Sequence, residues 1–366
     1  MKPILFFDHS PVFGGAERSL LDIITRLSQY VCILVGPRGD TLGEAEKRGI
    51  ETRQLEIPQR LIKRSRKHVM VASDFFLLPL TVFRLLWLIR EIHPSIIYTN
   101  TLKAHIIGGI ASKMAGIPCV VHMRDILNGH KLYLALVSVM STRMIAISRA
   151  VKSGITYKKD ISVVYNGIDI HMERGKRKEG GVINIGAVGQ IARWKGAEYF
   201  VRAAGLLHRK YGDGLRFWIV GDAVFGDDDY RRHLVDIIEE LGLSEYTEFT
   251  GWVASPLNAM EKLDIIVHIP IRDEPFGRVL IEAGLLGKPV VATKVGAIPE
   301  IIMDGRTGVL VPPRDANAVY GALCDLIDDG ELRRTMGNEA RKRVEKIFSI
   351  DKTVEAIAKI LKELTG

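Results

Sequence analysis

Residues 265–293 read IIVHIPIRDEPFGRVLIEAGLLGKPVVAT. The stretch opens on an apolar run, Ile265–His268, and closes on another, Pro289–Thr293. Between them, Gly277–Leu286 repeats apolar residues at helical spacing. Strand, helix and strand within about 30 residues make a βαβ unit, whose strands run parallel in one sheet. The rhythm continues on either side. Ile183–Val188, Arg216–Val220, Thr247–Phe249 and Gly308–Leu310 read as further strands. Gly196–Lys210, Asp229–Leu241, Pro256–Leu263, Ala316–Asp328, Glu331–Ile347 and Thr353–Leu364 read as helices.

An earlier series has the same form. Ile4–Phe7, Cys32–Val35, Ile96–Tyr98, Val120–His122, Met144–Ile147 and Ser162–Val164 read as strands, with helices over Ala16–Leu27 and Lys103–Ala115. The pattern predicts an α/β fold of two Rossmann-like, doubly wound domains facing each other across a cleft. They are expected at residues 1–170 and 182–348, with the polar, glycine-rich segment 171–181 as linker. Residues 349–366 are expected to form a C-terminal helix that returns to the first domain. Ligands in such folds sit outside the carboxyl ends of the strands, which makes the cleft the expected site.

Composition narrows the function. Of 366 residues, 47% are apolar and 26% charged, so wholesale disorder is excluded. The three cysteines, Cys32, Cys119 and Cys324, form no CxxC pair and fit a reducing, cytoplasmic compartment. The first residues read as a strand entering a loop rather than as a secretory leader. Residues 1–165 carry 23 Lys and Arg against 12 Asp and Glu, a net +11, whereas the rest of the chain is at −3. An anionic partner is therefore expected on the first half.

The densest chemistry lies in Glu274-Pro275-Phe276-Gly277-Arg278-Val279-Leu280-Ile281-Glu282. Pro275 and Gly277 favour a turn that leaves backbone N–H groups open at a helix start, a place that attracts anions. Glu282 lies about 7.5 Å further along the helix. The segment can offer one carboxylate to a sugar hydroxyl, N–H groups to phosphate, and a second carboxylate to a ribose diol. Read without context, the same residues also suit an ordinary helix with a glutamate near each end.

Context comes from the order of further motifs. They are Gly14-Gly15-Ala16-Glu17, His122, Ala146-Ile147-Ser148, Asn166-Gly167-Ile168-Asp169, and Gly189 through Lys195-Gly196. Val220-Gly221-Asp222, Phe249-Thr250-Gly251-Trp252 and Gly296-Ala297-Ile298-Pro299-Glu300 complete the series. With Glu274 and Glu282 eight residues apart, the chain resembles the family-4 retaining glycosyltransferases of GT-B architecture over nearly its whole length. The resemblance implies transfer of a sugar from a nucleotide sugar, such as a UDP- or GDP-sugar, to a glycan, lipid-linked or other hydroxyl acceptor. It implies retention at the anomeric carbon and a place in cell-surface polysaccharide or glycolipid synthesis. The first domain becomes the acceptor side, and the second binds the nucleotide sugar.

The same resemblance assigns roles. Lys195 and Arg193 face the leaving diphosphate, whose growing charge fixed cations stabilise. Many relatives carry arginine directly after the glycine, where this chain has Gln190, and Arg193 is the candidate substitute. Glu274 holds the donor sugar and His122 contacts it. Gly14, Gly15, Gln190, Gly221, Trp252, Val253, Phe276, Gly277, Arg278, Val279 and Glu282 are expected around the donor, and Arg124 and Asp125 near the acceptor. His9, closing the first strand, is the other histidine of interest.

Other readings remain at this stage. A nucleotide-sugar epimerase of the same architecture would use His122 or Glu274 as acid and base. A non-enzymatic basic binding protein would also explain the charge, although no nucleic-acid module is present and no nucleic acid is expected as a partner. A glycine-glycine loop without the third glycine of GxGxxG argues against a dehydrogenase. Asp227 and Asp229 form an Asp-x-Asp, but at a helix start the dipole alone accounts for them. No metal and no resident cofactor are expected. Finally, residues 60–89 join a basic run, which includes Lys63, Arg64, Arg66 and Lys67, to the apolar run 75–89. Fifteen helical residues span about 22 Å, short of the roughly 30 Å hydrocarbon core, so the segment is read as a peripheral contact with an anionic inner membrane face.

Overall fold

The computed structural model describes residues 2–62, 74–155, 160–171, 181–223, 227–253 and 255–365. One unit comprises Met1–Gly167 and Ile350–Gly366, and the other Ile168–Ser349. The basic residues Lys63, Arg64, Arg66 and Lys67, residues 172–180 of the expected linker, and Gly226 lie outside the described residues.

The first unit runs β1 (Ile4–Phe7), α1 (Gly15–Ile24), β2 (Cys32–Gly36), α2 (Asp40–Lys47), β3 (Glu51–Gln54), α3 (Gln59–Ile62) and α4 (Asp74–Ile92). It continues with β4 (Ile96–Thr99), α5 (Leu102–Ala115), β5 (Cys119–Met123), α6 (Lys131–Met140), β6 (Arg143–Ala146), α7 (Arg149–Ser153) and β7 (Ile161–Val163). The sheet order is β3-β2-β1-β4-β5-β6-β7, every pair parallel. Strands covered on both faces must be apolar throughout, and all four residues of β1 and of β4 are buried. The chain order reverses between β1 and β4, so their carboxyl ends open the crevice typical of doubly wound sheets.

The second unit runs β8 (Ile183–Val188), α8 (Ala197–Tyr211), β9 (Leu215–Val220), α9 (Asp228–Glu240), β10 (Thr247–Gly251), α10 (Pro256–Glu261) and β11 (Ile265–His268). Then follow α11 (Arg278–Leu285), β12 (Val290–Thr293), α12 (Ile298–Ile301), β13 (Val309–Val311), α13 (Ala316–Asp328) and α14 (Gly330–Ile347). Its parallel order, β10-β9-β8-β11-β12-β13, reverses between β8 and β11. The doubly wound α/β architecture read from the sequence is thus present twice.

The closing helix α15 (Ile350–Thr365) belongs to the first unit and packs on α1. Ile350, Val354, Ile357 and Leu361 recur at helical spacing and join Leu20 and Ile24 in one buried cluster. Helix α5 lies against both α4 and α6 and is buried over most of its length. Among the described residues, no helix is long and apolar enough to cross a membrane.

Candidate active site

In the second unit the switch point lies between β8 and β11. Gly189 and Gln190 follow β8, and His268 ends β11. Together with Lys195, Ile219 and Ile269 they line a hollow of about 20 Å³, enough for one water.

Lys195 Nζ donates to Glu274 Oε2 at 2.6 Å. The lysine side chain retains 18% of its exposure and the glutamate 9%. Lys195 also lies over the Trp194 ring, 4.1 Å from its centroid. His268 Nε2 is 3.4 Å from the same Glu274 oxygen, a longer and weaker contact. Burial pushes the Glu274 carboxyl up, but the Lys195 charge and His268 outweigh it and hold it at about 2.

Glu274 is fixed through its backbone as well. Ala297 N donates to Glu274 O at 2.8 Å, and Gly296 N donates to Asp273 Oδ1 at 3.1 Å. Gly296 has φ +52°, and a Cβ there would lie 2.3 Å from Glu274 O, so only glycine admits this approach. Gly277, at φ +86°, turns the chain into α11. Arg278 Nε then donates to Glu282 Oε1 at 2.9 Å, holding the second carboxylate, which is 4% exposed.

The structure brings Lys195, Glu274 and Gln190 to the switch point, with Gly277 and Arg278 at the adjoining helix start and Glu282 one turn further on. Gly221, at the end of β9, forms a bridge to Gly251, next to exposed Trp252 and half-buried Val253. Val279 is half-buried in the first turn of α11. Two side chains make other contacts. Arg193 is exposed and its guanidinium stacks over Tyr230, 5.2 Å from the ring centroid, because the turn 193–195 points alternate residues apart. Phe276 is buried against Phe348, with centroids 6.0 Å apart. His268 was not singled out by motif; its signal is a polar residue closing an apolar parallel strand.

The first unit has a buried polar network at its own switch point. Asp8 follows β1, and Asn100 and Thr101 follow β4. Asp8 accepts from Asn100 Nδ2 at 2.7 Å and Thr101 Oγ1 at 3.0 Å. Arg124 Nε donates to Asn100 Oδ1, and its Nη1 to Asn166 Oδ1 at 2.8 Å. His9 Nδ1 lies 2.6 Å from Thr101 Oγ1. Burial raises the Asp8 carboxyl against these hydrogen bonds and the Arg124 charge.

His122, fully buried on β5, belongs to the same cluster. Its Nδ1 lies 2.6 Å from Tyr98 Oη and 3.4 Å from Arg124 Nη2. Arginine can only donate, so Nδ1 accepts and the proton sits on Nε2. Burial first, and then the Arg124 charge, hold the imidazole well below its ordinary range, hence neutral. Its Nε2 has no hydrogen-bond partner among the described residues. Asp125 is half-buried beside this cluster, and Gly14 precedes α1, where its N–H donates to Glu17 Oε2 at 3.0 Å; Gly15 opens the helix.

Two parallel, doubly wound units with polar clusters at their switch points define a class of ligand-binding α/β proteins. The profile of glycosyl transferases group 1 matches residues 171–343, and that of glycosyltransferase family 4 matches residues 13–171. The chain belongs to this group 1, family-4 set of glycosyltransferases. It is 38% identical over 160 residues to D-inositol 3-phosphate glycosyltransferase of Paenarthrobacter aurescens, covering 43% of this chain and 38% of the relative. It is 33% identical over 178 residues to alpha-D-kanosaminyltransferase of Streptomyces kanamyceticus, covering 48% and 45%. The matches thus span less than half the length of these two curated relatives. A crystal structure of Anabaena HepE in complex with UDP and glucose superposes with a TM-score of 0.86 at 26% identity, over 99% of this chain and 100% of the other.

Proposed function

We propose that the chain is a retaining, metal-independent glycosyltransferase that draws its sugar from a UDP-sugar. The observation that carries this reading is the Lys195–Glu274 pair at the β8/β11 switch point, 2.6 Å between charged atoms. Its two charges suit the two ends of one donor: an ammonium for diphosphate, a carboxylate for sugar hydroxyls. The likeness to HepE, which binds UDP and glucose, supports UDP as the nucleotide.

As the bond between the sugar and the diphosphate breaks, negative charge grows on the leaving oxygens. Lys195 stabilises that charge more in the transition state than in the ground state, which is what accelerates the step. Glu282, preset by Arg278, accepts from the ribose hydroxyls. His122 is neutral, with its proton on Nε2. Nucleotide-sugar binding is assigned to the second unit and the acceptor to the first, with Arg124 and Asp125 on the acceptor side. The acceptor is a hydroxyl of a glycan or lipid-linked sugar, and the product belongs to cell-surface polysaccharide or glycolipid synthesis. Asp227–Asp229 serve the start of α9, where Asp229 pairs with Arg232.

A thermal-shift screen with UDP, GDP and UDP-glucose, each with and without chelator, tests the donor assignment. UDP and UDP-glucose should raise the melting temperature equally in both conditions, since a ligand of the native state stabilises by mass action. A shift that needs Mn²⁺ or Mg²⁺ contradicts metal independence. Release of UDP from UDP-glucose at full rate without acceptor would favour an epimerase-like reaction instead.

A further inference from the structure

Thirteen large apolar side chains are exposed among the described residues, and eight of them lie on α4, α5 and α6. On α4, Phe76, Leu80, Phe83 and Trp87 are 48–87% exposed and recur four, three and four residues apart, which sets them on one stripe. Leu78, Val82, Leu85 and Ile89 on the opposite stripe are buried. The helix is therefore anchored by one apolar face and presents a second. Helix α6 repeats the arrangement: Leu132, Leu136 and Val139 are 46–75% exposed, while Tyr133, Leu134 and Val137 are buried. Helix α5, packed against both, adds Met114, 67% exposed. Exposed apolar surface on this scale marks an interaction face.

Charge decides what covers it. Exposed cations border the stripes: Arg90 three residues after Trp87, Lys113 beside Met114, and Lys131 beside Leu132. A hollow of about 430 Å³ near the ends of α4 and α5 is lined by Leu86, Ile89 and Met114 together with Lys2, Arg90 and His93. The unit that carries these helices has a net charge of +11. Apolar side chains edged by cations match an apolar layer edged by anions.

We propose that the α4–α6 face docks on an anionic lipid bilayer, with Phe76, Phe83, Trp87, Leu132 and Val139 entering the acyl boundary. Arg90, Lys113 and Lys131 meet the lipid phosphates. The helices lie in the interface plane, because their inner stripes are committed to the protein core. Docking of this face is independent of the donor chemistry.

The full chain is sedimented with phosphatidylglycerol-containing vesicles and with pure phosphatidylcholine vesicles, at low and high salt. It should pellet with the anionic vesicles at low salt and be partly released at high salt. Phe83→Ser with Trp87→Ser, and separately Leu132→Ser with Val139→Ser, should each weaken vesicle partition by about tenfold or more, since bulky apolar groups no longer leave water. Melting temperature and UDP binding should stay as in the unaltered chain. Equal binding to neutral vesicles, no binding to either, or partition unmoved by both double variants would overturn the proposal. So would a vesicle-free dimer that these substitutions dissolve, because the face would then belong to a second copy.

Discussion

Glu274 stays ionised inside the protein because Lys195 stands 2.6 Å away. A lysine that faced only solvent would be dispensable for folding. The structure gives it a buried partner, and removing one member of such a pair strands the other. Lys195→Ala should therefore lower turnover by about 10²–10³ and also cost about 3 kcal/mol of stability. Steady-state kinetics and urea unfolding measure the two effects. Turnover within about threefold of the unaltered chain would remove Lys195 from the mechanism, as a preorganised charge is worth more. The pair also sets a pH dependence. The folded carboxyl titrates at about 2, below its ordinary value of 4.5. The unfolded chain therefore binds the proton more readily, and this stabilisation is complete above 4.5 and lost as pH falls toward 2. Unfolding of Glu274→Gln followed over the same range should lack that slope. For His122 the ¹⁵N shifts should remain those of a neutral Nε2–H imidazole through pH 6; titration near 6.5 would contradict the buried contact with Tyr98 and Arg124.

At the scale of elements, the glutamate loop and α11 are held by a second loop through Gly296. Gly296→Ala puts a Cβ 2.3 Å from Glu274 O at φ +52°. The strain should cost about 2 kcal/mol and weaken UDP-glucose binding by displacing Glu274. An unchanged melting temperature would show that the loop yields freely. These contacts were not legible in the sequence, because Gly296 and Glu274 are 22 residues apart and meet only after the sheet forms. Strand β3 was missed for a different reason. Its sequence, Glu-Thr-Arg-Gln, is polar because it is an edge strand, so it offers no apolar run to mark it. Helix α6 was missed because its apolar residues occur on both faces, which blurs the helical period. The strands β1, β4 and β11 are legible because burial on both sides favours apolar runs.

At the scale of the whole molecule, fold class followed from the alternation of strands and helices, and the glutamate segment from its spacing. Side-chain direction did not follow. Arg193 and Lys195 are two residues apart, yet one stacks on Tyr230 and the other pairs with Glu274. The cluster of Asp8, Asn100, Arg124 and His122 gathers residues scattered over more than a hundred positions, which only the sheet order unites. In the proposed reaction Glu274 and Glu282 hold the two ends of one nucleotide sugar. Calorimetry with UDP and with UDP-glucose on the unaltered chain, Glu274→Ala and Glu282→Ala tests it most directly. Loss of a charge-assisted hydrogen bond costs about 1.5–3 kcal/mol, or at least about tenfold in affinity. Glu282→Ala should weaken both ligands by that factor, and Glu274→Ala only UDP-glucose. Equal loss of both ligands in Glu274→Ala, or no loss of UDP in Glu282→Ala, would contradict the account.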